Sequence, residues 1–437
     1  MQGAEGVRGI GMARPSGRLT AAQPWVPVLA LAYPLLIQPL IELPMRVADA
    51  GLDLSANTRN AEANPINQLF WLALIAVAVL LFRQDGARVR AMLTRPVAAF
   101  VACYLVVAAA SILGSPEPGI AVRRLTLQLV VVLVTLVATY LCEDRGRVLR
   151  GCAWSFAIAA FVNLPAAFLL EQGRLGGALG IYSNKNILGL AMALAAIVLV
   201  HAVRQARSRG ERWVFAAAAA AAGVTLLLSE SETSILLGVA APALAWVTVA
   251  LCRTMRIRLV PAMLMLSLWI GLAALIYGAS GGSFERFTTL LFGDPTLSGR
   301  TDIWRFVLGA ASQHPLRGTG YASFWGAGEE SYVAELAPGF ISGLNQAHNG
   351  YLDVFVETGA LGLAMLVAVL AAGLAAADSG FPREKWDQRR MLLAVMAFAI
   401  FHNGLESSWF RSFSLVWVVY LILLGLALER QPTASRD

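Results

Sequence analysis

Apolar stretches close to the length of a membrane span recur along this chain and constrain its fold more than any other feature. A bilayer core about 30 Å thick requires roughly 20 apolar residues in a helix. Of the 437 residues, 58% are hydrophobic and only 14% are charged, which is typical of a polytopic membrane protein. We therefore predict an all-α integral membrane protein with about twelve transmembrane helices. The twelve stretches lie at about 24–43, 66–82, 96–113, 120–141, 148–170, 187–203, 212–228, 233–252, 258–278, 348–374, 391–404 and 413–429.

The distribution of basic residues predicts the orientation of these spans. Of the 34 Lys and Arg residues, 23 fall in alternate loops that share one side, and 11 fall on the other side. The positive-inside rule then places both termini in the cytoplasm. This distribution also accounts for the net charge of +7 without nucleic acid as a partner. The predicted organisation is a cytoplasmic tail at 1–23, nine spans within 24–278, a periplasmic loop with short amphipathic helices at 279–347, three spans within 348–429, and a cytoplasmic tail at 430–437.

The longest polar interruption of the apolar pattern, from Ser298 to Gly359, is where chemistry in water is expected. Within it, His348 stands where the loop becomes an apolar stretch. The partial positive charge at a helix N-terminus favours a neutral imidazole. A neutral imidazole can accept a proton at physiological pH, so His348 is a candidate general base. A polar cap at the membrane interface explains the same residue equally well.

Basic residues on the loop side are candidates for binding an anion. Arg123 and Arg124 lie at the outer end of a span, where a charge is costly unless it pairs, snorkels or binds a ligand. Lys185 lies between two asparagines at the start of a span, and a helix cap accounts for the asparagines but not for the lysine. Arg300 precedes a segment, 301–312, whose helical spacing of apolar residues predicts a short amphipathic helix lying on the membrane.

Other titratable residues near the loop have less specific patterns. His314 is expected in a turn or helix cap, and His402 lies near the outer end of the eleventh predicted span. If a helix runs continuously from His348, Glu357 lies on its opposite face, so the two side chains do not form an obvious pair. No cluster has metal-ligand spacing, and no Asp-x-Asp pair stands in the outside loops to hold a divalent ion.

Three motifs around this loop carry a resemblance to a known family. In order and spacing they resemble the signature of the O-antigen ligase and polymerase superfamily, which are bacterial inner-membrane proteins with about a dozen helices and one large periplasmic loop. Lys185 and Asn186, with Gly189, look most like the exopolysaccharide polymerase branch. The three motifs are Ser298-Gly-Arg-Thr-Asp-Ile-Trp304, His314-Pro-Leu followed by Gly318-Thr-Gly320, and His348-Asn-Gly-Tyr-Leu followed by Glu357-Thr-Gly359.

The resemblance implies a mechanism. Members of the superfamily transfer a saccharide from a polyprenyl diphosphate carrier to an acceptor saccharide on the periplasmic face, without a metal or another cofactor. The resemblance makes His348 the base and Arg300 a ligand of the diphosphate. Arg123, Arg124 and Lys185 join Arg300 as diphosphate candidates by position. Asn349, Tyr351, Glu357, His314 and His402 are candidates for supporting roles. One departure is Glu232, which stands where relatives often carry a basic residue.

Three alternatives to a polymerase remain open at this stage. A ligase of the same superfamily would pass finished polysaccharide to an outer-membrane glycolipid. A secondary transporter also fits twelve spans with both termini inside, although the sequence shows no internal repeat and its ionisable residues cluster at span ends. A lipid-sugar receptor without catalytic activity is the third. The expected partners are the lipid-linked oligosaccharide, the acceptor saccharide, the bilayer and other polysaccharide assembly proteins.

Overall fold

A computed structural model of the chain confirms the all-α polytopic fold. It describes residues 17–48, 65–170, 176–259, 299–326, 332–379 and 386–428, with scattered positions between 262 and 289. Within these residues, nine helices are long and apolar enough to cross a membrane. The first eight are α1 Thr20–Pro44, α2 Pro65–Phe82, α3 Pro96–Gly114, α4 Pro118–Leu141, α5 Arg145–Leu169, α6 Lys185–Gln205, α7 Arg209–Leu228 and α8 Glu232–Met255.

The remaining helices follow the predicted loop. α9 is the shorter helix Arg300–Ala311, and the ninth long apolar helix is α10, Gly350–Ser379. α11, Trp386–His402, and α12, Leu415–Ala427, overlap the eleventh and twelfth predicted spans, and both are shorter than the nine long helices. The ninth predicted span at 258–278 and the start of the loop fall mostly outside the described residues, as does the tail at 430–437. The count of twelve spans and the loop boundaries therefore remain predictions.

Helix α6 lies at the centre of the bundle. In the most apolar part of α6, 72% of the residues are buried inside the protein, compared with 22% in the corresponding part of α2. It packs against α5, α7, α8 and α11, so protein rather than lipid surrounds most of its length. The two ends of α6 are about 30 Å apart, because an α-helix rises about 1.5 Å per residue. They provide fixed reference points at opposite ends of the bundle.

Helix α9 packs within the protein, whereas the sequence predicts that it lies on the membrane. Ile303 and Val307 on its apolar side are buried in a small core with Trp325 and residues of α10. Leu308, predicted to belong to the same side, is 47% exposed. The prediction that the apolar side of α9 contacts the membrane was wrong. Aromatic residues of the loop provide an apolar protein surface for it, and the periodicity of one helix does not reveal such a surface. The indole Nε1 of Trp304 donates to the carbonyl of Ala347 at 3.0 Å and ties α9 to the segment before α10.

The loop segment Gly318-Thr-Gly320 packs against α10 next to Gly359 through backbone hydrogen bonds. Gly359 adopts φ 68°, a left-handed conformation that interrupts the helical geometry of α10. Next to this interruption, the N–H of Thr319 donates to the carbonyl of Val356 at 2.8 Å, and the N–H of Gly320 donates to that of Glu357 at 3.0 Å. In a continuous helix these carbonyls would accept from N–H groups of the next turn. Here the loop provides the hydrogen bonds that they need. The motifs therefore fix the loop onto α10.

Candidate functional site

Glu406 is the carboxylate around which the candidate site is built. The ring nitrogen Nδ1 of His348 lies 3.0 Å from its Oε2. Its other oxygen, Oε1, accepts hydrogen bonds from the guanidinium of Arg300 at 3.2 Å and from the side-chain amide of Asn186 at 3.1 Å. These residues come from four separate segments of the chain: the loop between α11 and α12, the residues before α10, and the first residues of α9 and α6. Folding therefore brings together groups far apart in sequence.

Three helices begin at this group. α6 begins at Lys185, α9 at Arg300 and α10 at Gly350. The first N–H groups of a helix have no partner within the helix, and the macrodipole adds partial positive charge at the same end. Three such ends together with the guanidinium of Arg300 produce an electropositive site that suits an anion. Glu406 neutralises only part of this charge.

Two short segments hold Glu406 in place. The side-chain oxygen of Asn403 accepts from the N–H groups of Ser408 at 2.8 Å and Trp409 at 3.1 Å, which closes the loop after α11. The N–H of Gly350 contacts the carbonyls of Asn403 at 2.8 Å and Glu406 at 3.0 Å, so the loop is docked onto the start of α10. The geometry between Glu406 and the residues before α10 is therefore preorganised by main-chain contacts.

The electrostatic balance at Glu406 favours its ionised form. The residue is 8% exposed, and burial by itself raises the pKa of the carboxyl. The hydrogen bond with His348 and the charges of His348, His402 and Arg300 outweigh burial and lower the pKa below its ordinary value. Glu406 is therefore a carboxylate at neutral pH and an acceptor for all of its partners.

His348 has an unusual backbone and an orientation suited to proton transfer. Its φ of 49° lies in the left-handed region, which costs a residue other than glycine about 1 kcal/mol or more. This is why α10 begins at Gly350 and not at His348. The continuous helix from His348 that was assumed in comparing the faces of His348 and Glu357 is therefore not present. A carboxylate can only accept, so the contact with Glu406 places the proton of a neutral imidazole on Nδ1. Nε2 is then left unprotonated and can take a proton.

The other predicted diphosphate ligands are distributed unevenly. Lys185 is half-buried and is the immediate neighbour of Asn186, so it lies at the edge of the candidate site. Arg124, on α4, donates to the carbonyl of Ala322 in the loop. Arg123 is exposed on the same helix. The structure therefore brings Arg300 and His348 to opposite oxygens of the same carboxylate, Glu406, and gives Arg124 a contact with the loop backbone.

Asn349 and Tyr351, predicted as supporting residues, act on the start of α10. The side-chain oxygen of Asn349 accepts from the N–H of Tyr351 at 3.1 Å and caps the helix. The N–H of Asn349 donates to the hydroxyl of Ser407, next to Glu406. The hydroxyl of Tyr351 donates to the carbonyl of Ile400 at 2.8 Å and joins α10 to α11. Both residues orient the segment that carries His348.

The remaining predicted residues are not hydrogen-bonded to the His348 ring in the described structure. His314 is exposed, and its carbonyl accepts from the N–H of Gly318 at 2.9 Å, which makes it a turn residue as expected. His402 is 1% exposed, and its carbonyl accepts from the N–H of Glu406 at 2.9 Å. It therefore supports the turn that carries the carboxylate. Glu357 is buried within α10.

Sequence reasoning missed Glu406. It lies 58 residues from His348 and 106 residues from Arg300, so no local pattern joins them. The available signal was its place in a polar stretch, Phe401-His-Asn-Gly-Leu-Glu406, at the end of an apolar span. Within this stretch the sequence analysis considered only the histidine. An ionisable residue at a span end is expected to pair, which was a reason to consider Glu406 as well.

The fold and site define a polytopic helical membrane protein with a histidine and carboxylate pair beside an arginine at one end of the bundle. Residues 217–367 match a family described as O-antigen ligase, and this range contains Arg300 and His348. The exopolysaccharide production protein ExoQ of Rhizobium meliloti (strain 1021) is 30% identical over 243 residues, which cover 51% of this chain and 52% of that protein. Both matches support the resemblance to the O-antigen ligase and polymerase superfamily that the sequence motifs indicate. It spans about half the length of the curated relative it matches.

Proposed function

We propose that this protein is a glycosyltransferase that polymerises polyprenyl-diphosphate-linked oligosaccharide repeat units into exopolysaccharide or O-antigen. It works in the bacterial inner membrane with both termini in the cytoplasm and its active site on the periplasmic face. The observation that carries the proposal is the pair of His348 and Glu406, 3.0 Å apart, beside the guanidinium of Arg300. This arrangement combines a base with a cation. Without a metal ion, transfer of a saccharide from a diphosphate carrier needs both groups.

His348 acts as the base in the proposed reaction. An acceptor hydroxyl attacks the anomeric carbon of the donor, and its proton passes to Nε2 of His348. The bond between that carbon and the diphosphate oxygen breaks, and the diphosphate leaves with the electron pair. Glu406 keeps the imidazole in the required tautomer and stabilises the positive charge that it acquires.

Arg300 and the helix N-termini stabilise the departing diphosphate. Negative charge on the leaving oxygens grows in the transition state, so cationic groups that lie ready at that position lower the barrier. The fork of Arg300 matches the geometry of phosphate oxygens, and Lys185 at the start of α6 adds a second charge. Arg123 and Arg124 are diphosphate candidates further along α4. Arg300 exchanges part of its contact with Glu406 for the phosphate when the donor binds.

Replacement of His348 by alanine tests the base. His348→Ala should lower the initial rate of transfer from purified lipid-linked donor by about a hundredfold or more, because the attacking hydroxyl loses its proton acceptor. His314→Ala is the matched control, since that exposed histidine belongs to the same loop and its described hydrogen bonds are made by the backbone. Near-normal rates from a stably accumulating His348→Ala protein would remove the proposed base and would favour a lipid-sugar receptor.

A deletion strain distinguishes a polymerase from a ligase. The name of the relative concerns exopolysaccharide production, and the stretch at Lys185 and Asn186 resembles the polymerase branch. We therefore expect the strain to lose long polysaccharide and to retain single repeat units on the lipid carrier. Gel profiles of carrier-linked and mature saccharide provide the readout. Long chains that accumulate on the carrier would instead identify a ligase.

A further inference from the structure

A cavity with a polar mouth lies at the other end of α6 from the candidate active site. It has a volume of about 220 Å³ and lies between the ends of α5, α6, α7 and α11. His201, near the C-terminal end of α6, lines it, whereas Asn186 at the N-terminal end belongs to the candidate active site. The two residues are about 22 Å apart at about 1.5 Å per residue, so the cavity is separate from that site. The polar residues that line it are Arg150, His201, Gln205, Arg207 and Gln388.

One ring nitrogen of His201 lacks a hydrogen-bond partner among the described residues. The residue is 8% exposed, and its Nδ1 is buried without a hydrogen-bond partner among the described residues. A buried polar atom without a partner costs free energy, so such atoms are normally paired with protein, water or ligand. The orphaned nitrogen is itself buried but belongs to a residue that lines the cavity, so a rotation of the ring would bring it to a hydroxyl or phosphate group bound there.

The side chains around the cavity carry a net positive charge. Arg150 pairs with Glu211 through two contacts of 3.2 Å each. The same carboxylate accepts from the backbone N–H of Arg207 at 2.7 Å, while the side chain of Arg207 is exposed.

A second carboxylate, Asp387, adjoins Gln388 and pairs with Arg204 and Arg390. Within the described part of the chain, the arginines around the cavity thus outnumber the carboxylates. The guanidinium of Arg207 has no described ion pair.

The helix ends around the cavity strengthen this positive character. α5, α7 and α11 all begin here, and Gly146 and Gln388 from the first turns of α5 and α11 line the cavity. Their N-terminal ends contribute partial positive charge, which exceeds the opposite contribution from the C-terminal end of α6. The inner wall is apolar, formed by Phe215, Met391 and other side chains. A polar mouth above an apolar wall, at the ends of membrane helices, fits a phosphate group attached to an acyl chain.

We propose that this cavity binds the phosphate group of an anionic ligand. Arg150 and Arg207 contact the phosphate oxygens, and Nδ1 of His201 hydrogen-bonds to the ligand. The sequence predicts that this arginine-rich end of the bundle faces the cytoplasm, where anionic phospholipids attract basic segments. A phospholipid headgroup and free phosphate share the same chemistry, and the experiment separates them.

Titration calorimetry on the purified full-length protein in nonionic detergent tests the site. The probes are dioctanoyl phosphatidylglycerol for the lipid source and inorganic phosphate for the free source. We expect saturable binding of the lipid and about tenfold weaker binding to Arg207→Gln, because a charge-assisted contact is lost. Arg209→Gln is the matched control: it removes an exposed arginine of the same loop that does not line the cavity. Its affinity should stay within about twofold of the wild-type affinity.

A second variant separates a built site from general attraction. His201→Phe removes the orphaned nitrogen and keeps a ring, and it should weaken binding about threefold or more. If inorganic phosphate binds and depends on the same residues while the lipid does not, the site takes a free anion. Absence of saturable binding by both probes would overturn the proposal. Equal losses in Arg207→Gln and Arg209→Gln would also overturn it, because the attraction would then be diffuse.

Discussion

The two ends of helix α6 present polar groups in different states. At the N-terminal end, the carboxylate of Glu406 is bound by Asn186, Arg300 and His348. The ring nitrogens of His402 in the same turn are buried without a described hydrogen-bond partner. At the C-terminal end, His201 keeps a buried nitrogen without one. Contacts of three side chains with one carboxylate fix the positions of those side chains to within the tolerance that chemistry requires. An incomplete network retains capacity for a ligand. The same bundle thus supports a preorganised site at one end and an open one at the other.

The comparison of the two ends of α6 requires that they face opposite sides of the membrane. Topology reporters test this, and the activity of the reporters is the largest effect that we expect. A reporter fused after Gly320 should be active only as a periplasmic reporter, and one fused after Gln388 only as a cytoplasmic one. The reason is the 23 to 11 split of basic residues between the two sides. Reporters that place both fusions on one side would show that the sites share a compartment.

Glu406→Gln should have the next largest effect, at the preorganised end. The amide keeps the size of the side chain but lacks the negative charge, and it can present a donor to His348. We expect the initial rate of transfer to fall by about a hundredfold or more, mainly in kcat and with little change in KM for the acceptor.

Glu406→Asp controls for the loss of charge, because it keeps the carboxylate one methylene further away. It should recover part of the rate. A glutamine variant with the wild-type rate would show that the carboxylate is only structural. A variant that raises KM and leaves kcat unchanged would place Glu406 in acceptor binding instead.

Arg300→Ala should lower the rate less, by about tenfold or more, because Lys185 and the helix ends still provide positive charge. The loss should persist at saturating acceptor, since the departing diphosphate is affected and not acceptor binding. Arg300→Lys should recover only part of the rate, because an ammonium lacks the bidentate geometry. Arg305→Ala is the control, since Arg305 lies on the same helix, is exposed and pairs with Asp302. Full activity of Arg300→Ala would remove that arginine from the site.

The smallest expected effect is on stability at acid pH. Because the pKa of Glu406 in the folded protein lies below its ordinary value of 4.5, its contribution to stability is present above pH 4.5 and is lost as the pH falls through the lowered pKa. The difference in Tm between wild type and Glu406→Gln should therefore shrink by about 2 °C on acidification below that value. Thermal scans in detergent at matched rates measure it. Glu335→Gln, which changes an exposed carboxylate in the loop, should show no such trend.

Much of the fold follows from the sequence because membrane helices satisfy their own backbone hydrogen bonds. The length of an apolar run then suffices to predict a helix. α9 shows where this reasoning ends, since periodicity predicted its amphipathic side but not the protein core against which Ile303 packs. Which surface covers an apolar side depends on the tertiary arrangement of distant segments. The twelve-span topology belongs to the same class of question and stays a prediction.

The candidate site was predictable in part for a related reason. His348 and Arg300 stand in polar segments with recognisable motifs, and the structure brings both to one carboxylate. Glu406 lies in a short turn between two apolar helices, where an ionisable residue is expected to pair but the sequence does not indicate with which partner. Its role depends on the docking of Gly350 against that turn, which no spacing in the sequence encodes. Arg124 is a similar case, because its position at the outer end of a span gave no sign of its contact with the carbonyl of Ala322.

The docking of the loop onto α10 has a consequence for how the chain tolerates change in length. The contacts of Thr319 and Gly320 with carbonyls of α10, and that of Ala360 with the carbonyl of Pro315, pair specific backbone positions in the manner of strand register. Insertion of one residue between Pro315 and Gly320 would shift every donor away from its acceptor. An insertion in the chain outside 315–320 and 356–360 does not change the spacing within either of these two paired segments. The loop therefore has one segment of fixed length, and variation in length among homologous chains should avoid it.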